Sequence, residues 1–519
     1  MPDTRAPAPA PDTAAAPGPG PTLTGRLADW AHRVRFDDIP ARTREAAVSQ
    51  LISNLAAVRA TLAHPWGGPL TAALGPPLQA DPARSAQVLA ALATALDFDE
   101  VAYAGHVSAG AVNVAVAEAR QLRLDGRALL AAVVTANECA ARITAATILS
   151  PFFRGQTNTH THLASAAAAR LHARGAPADE WRRALGLALG ILPVPLHHGV
   201  VTSHVKAFTA AAPVRLALDA CDAAAHGLGG ADDVLEHPEG LLAELSAVPV
   251  PEAVDTLLGV RWHTDTLTYK RFPGSAYLHA AFDCAERLHA RLGRVDAARV
   301  ARIVVDGSLL TWQLERKVAG ALRGPDTSVA AATLSVGYGV ATLLLTGGFG
   351  APDLTPAALA GADRWALADK VTVEHDMGLS LAMAAATVPL GAALRQAGDR
   401  ALGWPELVRW TGDAAPEVVA SLGPPEETFE DATMAIGARV RVELVDGTVV
   451  GEECPAFLGA AGATDRAGQR ALVRAKFLAT GGSGAALAAL EDIAALGPAA
   501  TARALAAALT VAPPGPGGR

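Results

Sequence analysis

A short acidic run is the part of this sequence best suited to chemistry. Residues 96–100, Leu-Asp-Phe-Asp-Glu, bring three carboxylates together, and His106 follows within two helical turns. The surrounding sequence is rich in alanine, and only 18% of all residues are charged. Gathering carboxylates in apolar surroundings is costly unless a cation or a proton meets them. The run is therefore a candidate site; a helix start with acids near its positive end is the alternative interpretation.

A polar segment in front of an alanine-rich stretch is the second candidate. Residues 154–162, Arg-Gly-Gln-Thr-Asn-Thr-His-Thr-His, combine hydroxyls, an amide and two imidazoles. Such groups at a helix N-terminus suit an anionic ligand, and Gln156, His160 and His162 are the predicted substrate-binding residues here. A capping loop is the alternative. A His-x-His pair without a carboxylate is a weak indication of a metal, so we predict no metal site.

Three further segments supply cations, an imidazole and hydroxyl groups. A lysine precedes a strongly apolar helix, two cations and a histidine flank a proline turn, and a tyrosine lies in an uncharged segment. The residues are Lys206, Lys270, Arg271, Ser275, His279 and Tyr338. Each has an ordinary alternative: a lysine that extends to water, a solvated corner, or a core tyrosine with one hydrogen bond.

Taken together, these groups suit one kind of chemistry. An acid cluster, imidazoles, lysines and a phenol fit proton abstraction next to a carboxylate, with cations stabilising the developing enediolate. The same groups would bind a small polycarboxylate through charge-assisted hydrogen bonds. The sequence shows no nucleotide-binding glycine loop and no serine nucleophile elbow.

Composition limits the class of protein. The 519 residues predict two or three domains, and 51% hydrophobic with 4% aromatic residues favours closely packed helices. A net charge of −8 argues against a nucleic-acid partner. The four cysteines, Cys139, Cys221, Cys284 and Cys454, form no CxxC pair. This excludes familiar zinc spacings and predicts a reduced, cytoplasmic protein, in which we see no secretory signal.

Hydrophobic periodicity predicts a mainly α fold. Residues 23–262 show an almost continuous helical pattern. Short alternating strands are predicted at 302–306 and 370–375, and a hairpin with an Asp-Gly turn at 438–452. We therefore expect a large all-helical domain with an inserted α+β lid domain.

The predicted domain boundaries follow from these patterns. The α+β lid domain spans 263–457, and helices at 458–511 return to the helical domain. Residues 1–22 and 512–519 are Pro-rich tails predicted to be disordered. Residues 327–352 carry no charge and are long enough to span a bilayer, but glycines and hydroxyls interrupt them, so we predict a buried helix and no membrane.

The ordered set of motifs resembles the MmgE/PrpD family, which includes 2-methylcitrate dehydratase, cis-aconitate decarboxylase and iminodisuccinate epimerase. The resemblance extends from about residue 23 to 496. The motifs that carry it are Asp-Phe-Asp-Glu at 97–100 with His106, Glu138-x-x-x-Arg142, Lys206, Lys270-x-x-Pro273 with His279, and Ser335-x-x-Tyr338.

This resemblance implies more than the residues alone. It implies a homodimer that needs no metal or organic cofactor, with an active site in the cleft between the two domains. The implied catalytic residues are Asp97, His106, Lys206, Lys270, His279 and Tyr338. Departures from the family pattern indicate a divergent member: Val101 stands where relatives carry threonine, Val107 replaces a proline, and Gly155 stands near an expected histidine.

We therefore expect a lyase, either a dehydratase or a decarboxylase, that acts on a small carboxylate-bearing substrate. His106 is the expected proton-transfer group, Asp97 orients or polarises a neighbour, and Lys206 and Lys270 bind carboxylates. His279 and Tyr338 would complete the pocket from the lid side. An epimerase or isomerase on the same scaffold is the alternative, and a non-catalytic small-acid binder is the third.

Overall fold

The computed structural model describes residues 21–150 and 159–511. Almost all of the predicted tails, together with Gln156, lie outside these ranges. The helices that precede the sheet are α1 (Leu23–Ala31), α2 (Ala41–Ala63), α3 (Gly67–Leu74), α4 (Pro82–Thr94), α5 (Ser108–Gln121), α6 (Gly126–Thr147), α7 (Thr159–Ala173), α8 (Ala178–Leu189), α9 (His197–Thr202), α10 (Val205–Ala225), α11 (Leu241–Leu245) and α12 (Glu252–Asp255).

The next part of the chain mixes helices with four strands. Its elements are α13 (His279–Leu292), β1 (Val300–Gly307), α14 (Leu309–Ala319), α15 (Val329–Thr333), α16 (Val336–Thr346), α17 (Pro356–Leu359), α18 (Ala362–Ala368), β2 (Val371–His375), α19 (Met377–Ala385), α20 (Gly391–Ala397), α21 (Pro405–Thr411), α22 (Ala415–Ser421), β3 (Ala438–Leu444) and β4 (Val449–Cys454). The chain then forms α23 (Arg466–Ala479), α24 (Gly484–Glu491) and α25 (Pro498–Leu509).

The strands form a single mixed sheet in the order β2-β1-β3-β4. β1 pairs parallel with β2 and antiparallel with β3, and β3 pairs antiparallel with β4. The hairpin turns at Asp446-Gly447, where Gly447 has a φ of 87°. All four strands lie within the predicted 263–457 segment, which confirms a mainly α fold with a small α+β portion. The exact domain boundaries stay predictions.

The helical layer is held together by small residues and by capped helix ends. α4 begins at Pro82, and Asp81 accepts the backbone N–H of Ala83 at 2.9 Å. Asp125 caps α6 in the same way, 2.8 Å from the N–H of Ala128. Alanine side chains let the helices approach closely, and α23 and α24 pack back against α2.

The uncharged segment 327–352 is buried, as the sequence predicted, but it forms two helices, α15 and α16, where one was expected. Ser335 causes the break, because its hydroxyl accepts the N–H of Tyr338 at 3.2 Å and begins a new helix. Among the described residues, α6 is the one helix long and apolar enough to cross a membrane, and 94% of its apolar window is buried.

The crossing of α5 and α7 gives a stability prediction. A Cβ added at Gly110 would lie 2.1 Å from Ser165 Oγ and 2.5 Å from Ala166 N. We expect Gly110→Ala to lower the free energy of unfolding by about 1–3 kcal/mol, as overpacking does. Gly484→Ala is the control, because no atom lies within 4 Å of that position. Equal denaturation midpoints for the two variants would show that α5 and α7 do not meet this closely.

Candidate active site

The acidic run follows the end of α4 and changes the direction of the chain. Asp97 has a left-handed φ of 51°, a conformation that aspartate tolerates better than most residues. The backbone N–H of Gly274 donates to the carbonyls of Leu96 and Asp97 at 3.2 and 3.1 Å. The turn is thus held by Gly274, in the segment 263–275 at the start of the predicted lid, which we call the lid junction. The Asp97 side chain is buried.

Two lysines from distant segments meet the Asp97 carboxylate. Lys270 Nζ lies 2.7 Å from Asp97 Oδ1 and also donates to the Asp97 carbonyl at 2.9 Å. Lys206 Nζ lies 3.5 Å from Asp97 Oδ2. Burial alone would raise the pKa of Asp97, but the charges of Lys206, Lys270 and His106 hold it well below its usual range. Asp97 is therefore a permanent anion that keeps two ammonium groups in place.

His106 is oriented by the next carboxylate. Its Nδ1 lies 3.0 Å from Asp99 Oδ2, and its Nε2 lies 3.8 Å from Asp97 Oδ1. Burial would raise the pKa of Asp99, but His106 lowers it overall. When Nδ1–H donates to Asp99, Nε2 is the nitrogen left to take a proton. Asp99 was not among the predicted site residues, although it lies in the same acidic run.

The two predicted histidines of α7 are buried near this cluster. The ring centroids of His162 and His106 are 6.4 Å apart. His160 Nε2 lies 3.1 Å from Thr147 Oγ1. Burial lowers the pKa of His160 to about 4 and that of His162 to about 3, so both rings stay neutral near pH 7. His162 Nδ1 has no hydrogen-bond partner among the described residues.

Residues at the lid junction approach the cluster from the other side. Ser275 Oγ accepts the N–H of Tyr277 at 3.4 Å and starts the short 3-10 turn Ala276–Leu278. His279 begins α13 and packs against the rings of Phe272 and Phe457, with centroids 5.7 and 5.2 Å away. Burial, followed by the nearby Lys270 charge, holds the pKa of His279 well below its usual range.

The structure does not bring Tyr338 to this cluster. Its hydroxyl donates to the carbonyl of Asp353 at 2.7 Å, and its ring lies 4.8 Å from that of Trp365. Burial and then the charge of Asp97 raise the pKa of a different phenol, that of Tyr277. Sequence reasoning missed Tyr277, although it lies in the segment that carries Lys270 and Ser275.

The Arg271 guanidinium binds two acidic side chains of α13. Its guanidinium lies 2.5 Å from Asp283 Oδ1 and 2.7 Å from Glu286 Oε2. Its substrate-binding role stays a prediction, whereas its neighbour Lys270 is in direct contact with Asp97.

Family models cover most of this chain. The MmgE/PrpD N-terminal domain matches residues 25–252, and the MmgE/PrpD C-terminal domain matches residues 272–389. The protein belongs to the MmgE/PrpD family. The predicted family is thereby confirmed, and its members are generally enzymes of the lyase and dehydratase type. No curated protein matches the chain.

A metal could in principle contact three side chains of this MmgE/PrpD site. Ligand atoms of Asp97, Asp99 and His106 all lie within 4.8 Å of one another. Ammonium groups already neutralise Asp97, however, and a divalent cation beside Lys270 and Lys206 would be repelled. The donor set therefore suits proton transfer better than metal binding.

The predicted Glu138–Arg142 pair is buried and holds the chain between the two matched domains. Glu138 Oε2 lies 3.6 Å from Arg142 Nε. Glu138 also accepts the backbone N–H groups of His263 and Thr264 at 2.9 and 2.8 Å. Arg142 donates to the carbonyl of Arg261 at 2.6 Å. The pair fixes the chain just before the segment that carries Lys270.

The third acid of the run binds a lysine that sequence reasoning missed. Lys476 Nζ, on α23, lies 3.2 Å from Glu100 Oε1 and donates to Ser53 Oγ and the Phe98 carbonyl at 2.8 and 2.6 Å. Burial raises the pKa of Glu100 and lowers that of Lys476, while each charge opposes the shift of the other. The sequence offers little to predict this contact: Lys476 stands next to Phe477, and both are buried in α23.

This buried pair gives a second stability prediction. Lys476→Met leaves Glu100 buried without its cation, so we expect the free energy of unfolding to fall by about 3 kcal/mol at pH 8. The loss should shrink as the pH falls, because protonation of Glu100, whose pKa is raised, removes the unpaired charge. Urea denaturation at several pH values measures both effects.

The control variant is Arg474→Met on the same helix. Arg474 pairs with Glu491 at 2.5 Å on the surface, where an ion pair contributes only about 0–1 kcal/mol. The double variant Glu100→Gln/Lys476→Met should recover part of the lost stability. A Lys476→Met loss no larger than that of the control would refute the structural role of the pair.

Proposed function

We propose that this protein is a lyase, a dehydratase or a decarboxylase, that acts on a small carboxylate-bearing substrate by proton transfer at a carbon next to the carboxylate. The observation that supports this most directly is the buried Asp97 carboxylate between Lys206 and Lys270, with His106 and Asp99 beside it. Two lysines that could bind a substrate carboxylate thus lie next to the oriented imidazole of His106.

Each group has a part in the proposed reaction. The lysines bind substrate carboxylates and stabilise the enediolate that forms when a proton leaves the neighbouring carbon. His106 Nε2 takes that proton, and Asp99 stabilises the resulting imidazolium through Nδ1–H. In a dehydration the electron pair returns from the enediolate and expels the β-hydroxyl, which leaves as water with a proton from Tyr277. The raised pKa of Tyr277 keeps that proton available.

An epimerase or isomerase is the second candidate. The neutral His162 ring lies 6.4 Å from that of His106. Two imidazoles at this separation can address opposite faces of one substrate carbon, one removing a proton and the other returning it. A non-catalytic acid-binding protein is the weakest proposal, because simple binding does not require the His106–Asp99 pair.

We also propose a cytoplasmic homodimer that uses its side chains without a cofactor. The family resemblance suggests the dimer, and exposed apolar residues support self-association. These are Ile191, Val194 and Leu196 in the chain before α9. The four free cysteines are compatible with a reducing compartment.

Solvent proton exchange tests the proposed function. The purified protein is incubated in deuterated water with methylcitrate, cis-aconitate, citrate, malate and aspartate-derived acids, and followed by proton NMR. We expect deuterium incorporation at a carbon next to a carboxylate, together with loss of water or carbon dioxide. Exchange with inverted stereochemistry alone would establish the epimerase. Saturable binding without exchange would overturn both enzymatic proposals.

Replacement of Lys206 separates catalysis from stability. Lys206→Ala should lower turnover by about 10²-fold or more, because a carboxylate-stabilising cation is lost. The thermal midpoint should change little, since Asp97 keeps Lys270 as its partner. Arg215→Ala on the same helix is the control, because Arg215 pairs with Asp219 at the surface, away from Asp97. A large loss of stability with normal residual turnover would make Lys206 structural.

A further inference from the structure

Two cysteines of the lid are in contact although they lie 170 positions apart in the sequence. Cys284 on α13 and Cys454 at the end of β4 are both buried, and each thiol shifts the pKa of the other. The backbone agrees with this contact: Cys284 Sγ lies 3.7 Å from the carbonyl of Ala438, the residue directly opposite Cys454 in the β3–β4 ladder.

An arginine covers the pair from the solvent side. Arg287 lies one helical turn beyond Cys284, and its Nη2 is 3.7 Å from Cys284 Sγ and 3.0 Å from the carbonyl of Glu453. The Arg287 side chain is 42% exposed. β4 is an edge strand, and Cys454 lies between the exposed residues Glu453 and Pro455. The two cysteines are themselves buried, but Cys454 is flanked by exposed positions and Cys284 lies one turn from the half-exposed Arg287.

We propose that Cys284 and Cys454 are a modification site at which a peroxide forms a reversible disulfide. The Cys454 thiolate attacks one peroxide oxygen, the O–O bond breaks, and a sulfenic acid and hydroxide form. The Cys284 sulfur then attacks the sulfenic sulfur, the S–O bond breaks, and water leaves. Overall, two thiols are oxidised by one hydrogen peroxide, which is reduced to two waters.

Local charges favour Cys454 as the attacking group. The Cys284 thiol and then the nearby Arg287 lower the pKa of Cys454. Burial acts in the opposite direction and raises it. Thiolates, not thiols, react with peroxide. Burial raises the pKa of Cys139, and that of Cys221 to about 12. Neither has a cysteine as hydrogen-bond partner in the described part of the chain, so both serve as internal controls.

The cross-link would act next to the lid junction. Asp283, which precedes Cys284, accepts the backbone N–H of Leu458 at 2.8 Å and binds Arg271. α13 and the segment that leaves β4 therefore meet at Asp283 as well as at the two sulfurs. A disulfide would fix these two segments to each other beside Lys270, without using any group of the proposed catalytic cluster.

The test is peroxide treatment of the folded full-length protein, followed by denaturation, alkylation and peptide mass spectrometry. We expect a linked peptide pair that contains Cys284 and Cys454, lacks two hydrogens and is restored by dithiothreitol. Cys139 and Cys221 should be alkylated as free thiols. The same link should form in a Cys139→Ser/Cys221→Ser variant. Four alkylated thiols, or links to Cys139 or Cys221, would overturn the proposal.

Single variants separate the roles of the two sulfurs. In Cys284→Ser, the Cys454 sulfenic acid should persist and be trapped by dimedone; in Cys454→Ser, Cys284 should stay a thiol. Arg287→Met should slow formation of the link several-fold, whereas Arg291→Met, an exposed neighbour paired with Glu452, should not. Equal rates for the two arginine variants would refute the role assigned to Arg287.

Discussion

The site depends on one buried carboxylate that is shared by two parts of the chain. Asp97 is surrounded by apolar helices, and an isolated anion there would be expensive. Lys206 reaches it from α10 at 3.5 Å, and Lys270 reaches it from the segment before α13 at 2.7 Å. Lys270 is the closer partner and also donates to the Asp97 carbonyl, and the charges of both lysines compensate for the buried charge.

The two neighbouring acids also bind partners from distant segments. Asp99 meets His106, and Glu100 meets Lys476 on the C-terminal helix α23. Three acids in four positions thus contact three lysines and a histidine from four separate segments. Phe98 between them lies under the Lys476 ammonium, 4.0 Å from its ring centroid. The left-handed turn at Asp97 sends these side chains toward different parts of the fold. A short local sequence thereby organises long-range contacts.

Sequence reasoning predicted the parts that local chemistry determines. Clustered acids and lone lysines beside apolar helices stand out by type, and the family resemblance implied that Asp97, Lys206 and Lys270 share one site, as their contacts show they do. Contacts that depend on tertiary packing could not be predicted from the sequence. Tyr338 and Tyr277 look equally plausible in sequence, and only the fold directs one hydroxyl to Asp353 and places the other near Asp97.

Val101, directly after the three acids, shows how the backbone holds the acidic run in place. The Val101 N–H donates to the Thr268 carbonyl at 3.2 Å, and the Thr268 N–H donates to the Val101 carbonyl at 2.9 Å. This bridge uses the backbone alone, so it forms equally well with valine or threonine. The Val101 side chain itself is buried beside the acidic run. The bridge therefore joins the acidic run to the segment that carries Lys270 through main-chain atoms, whichever side chain stands at position 101.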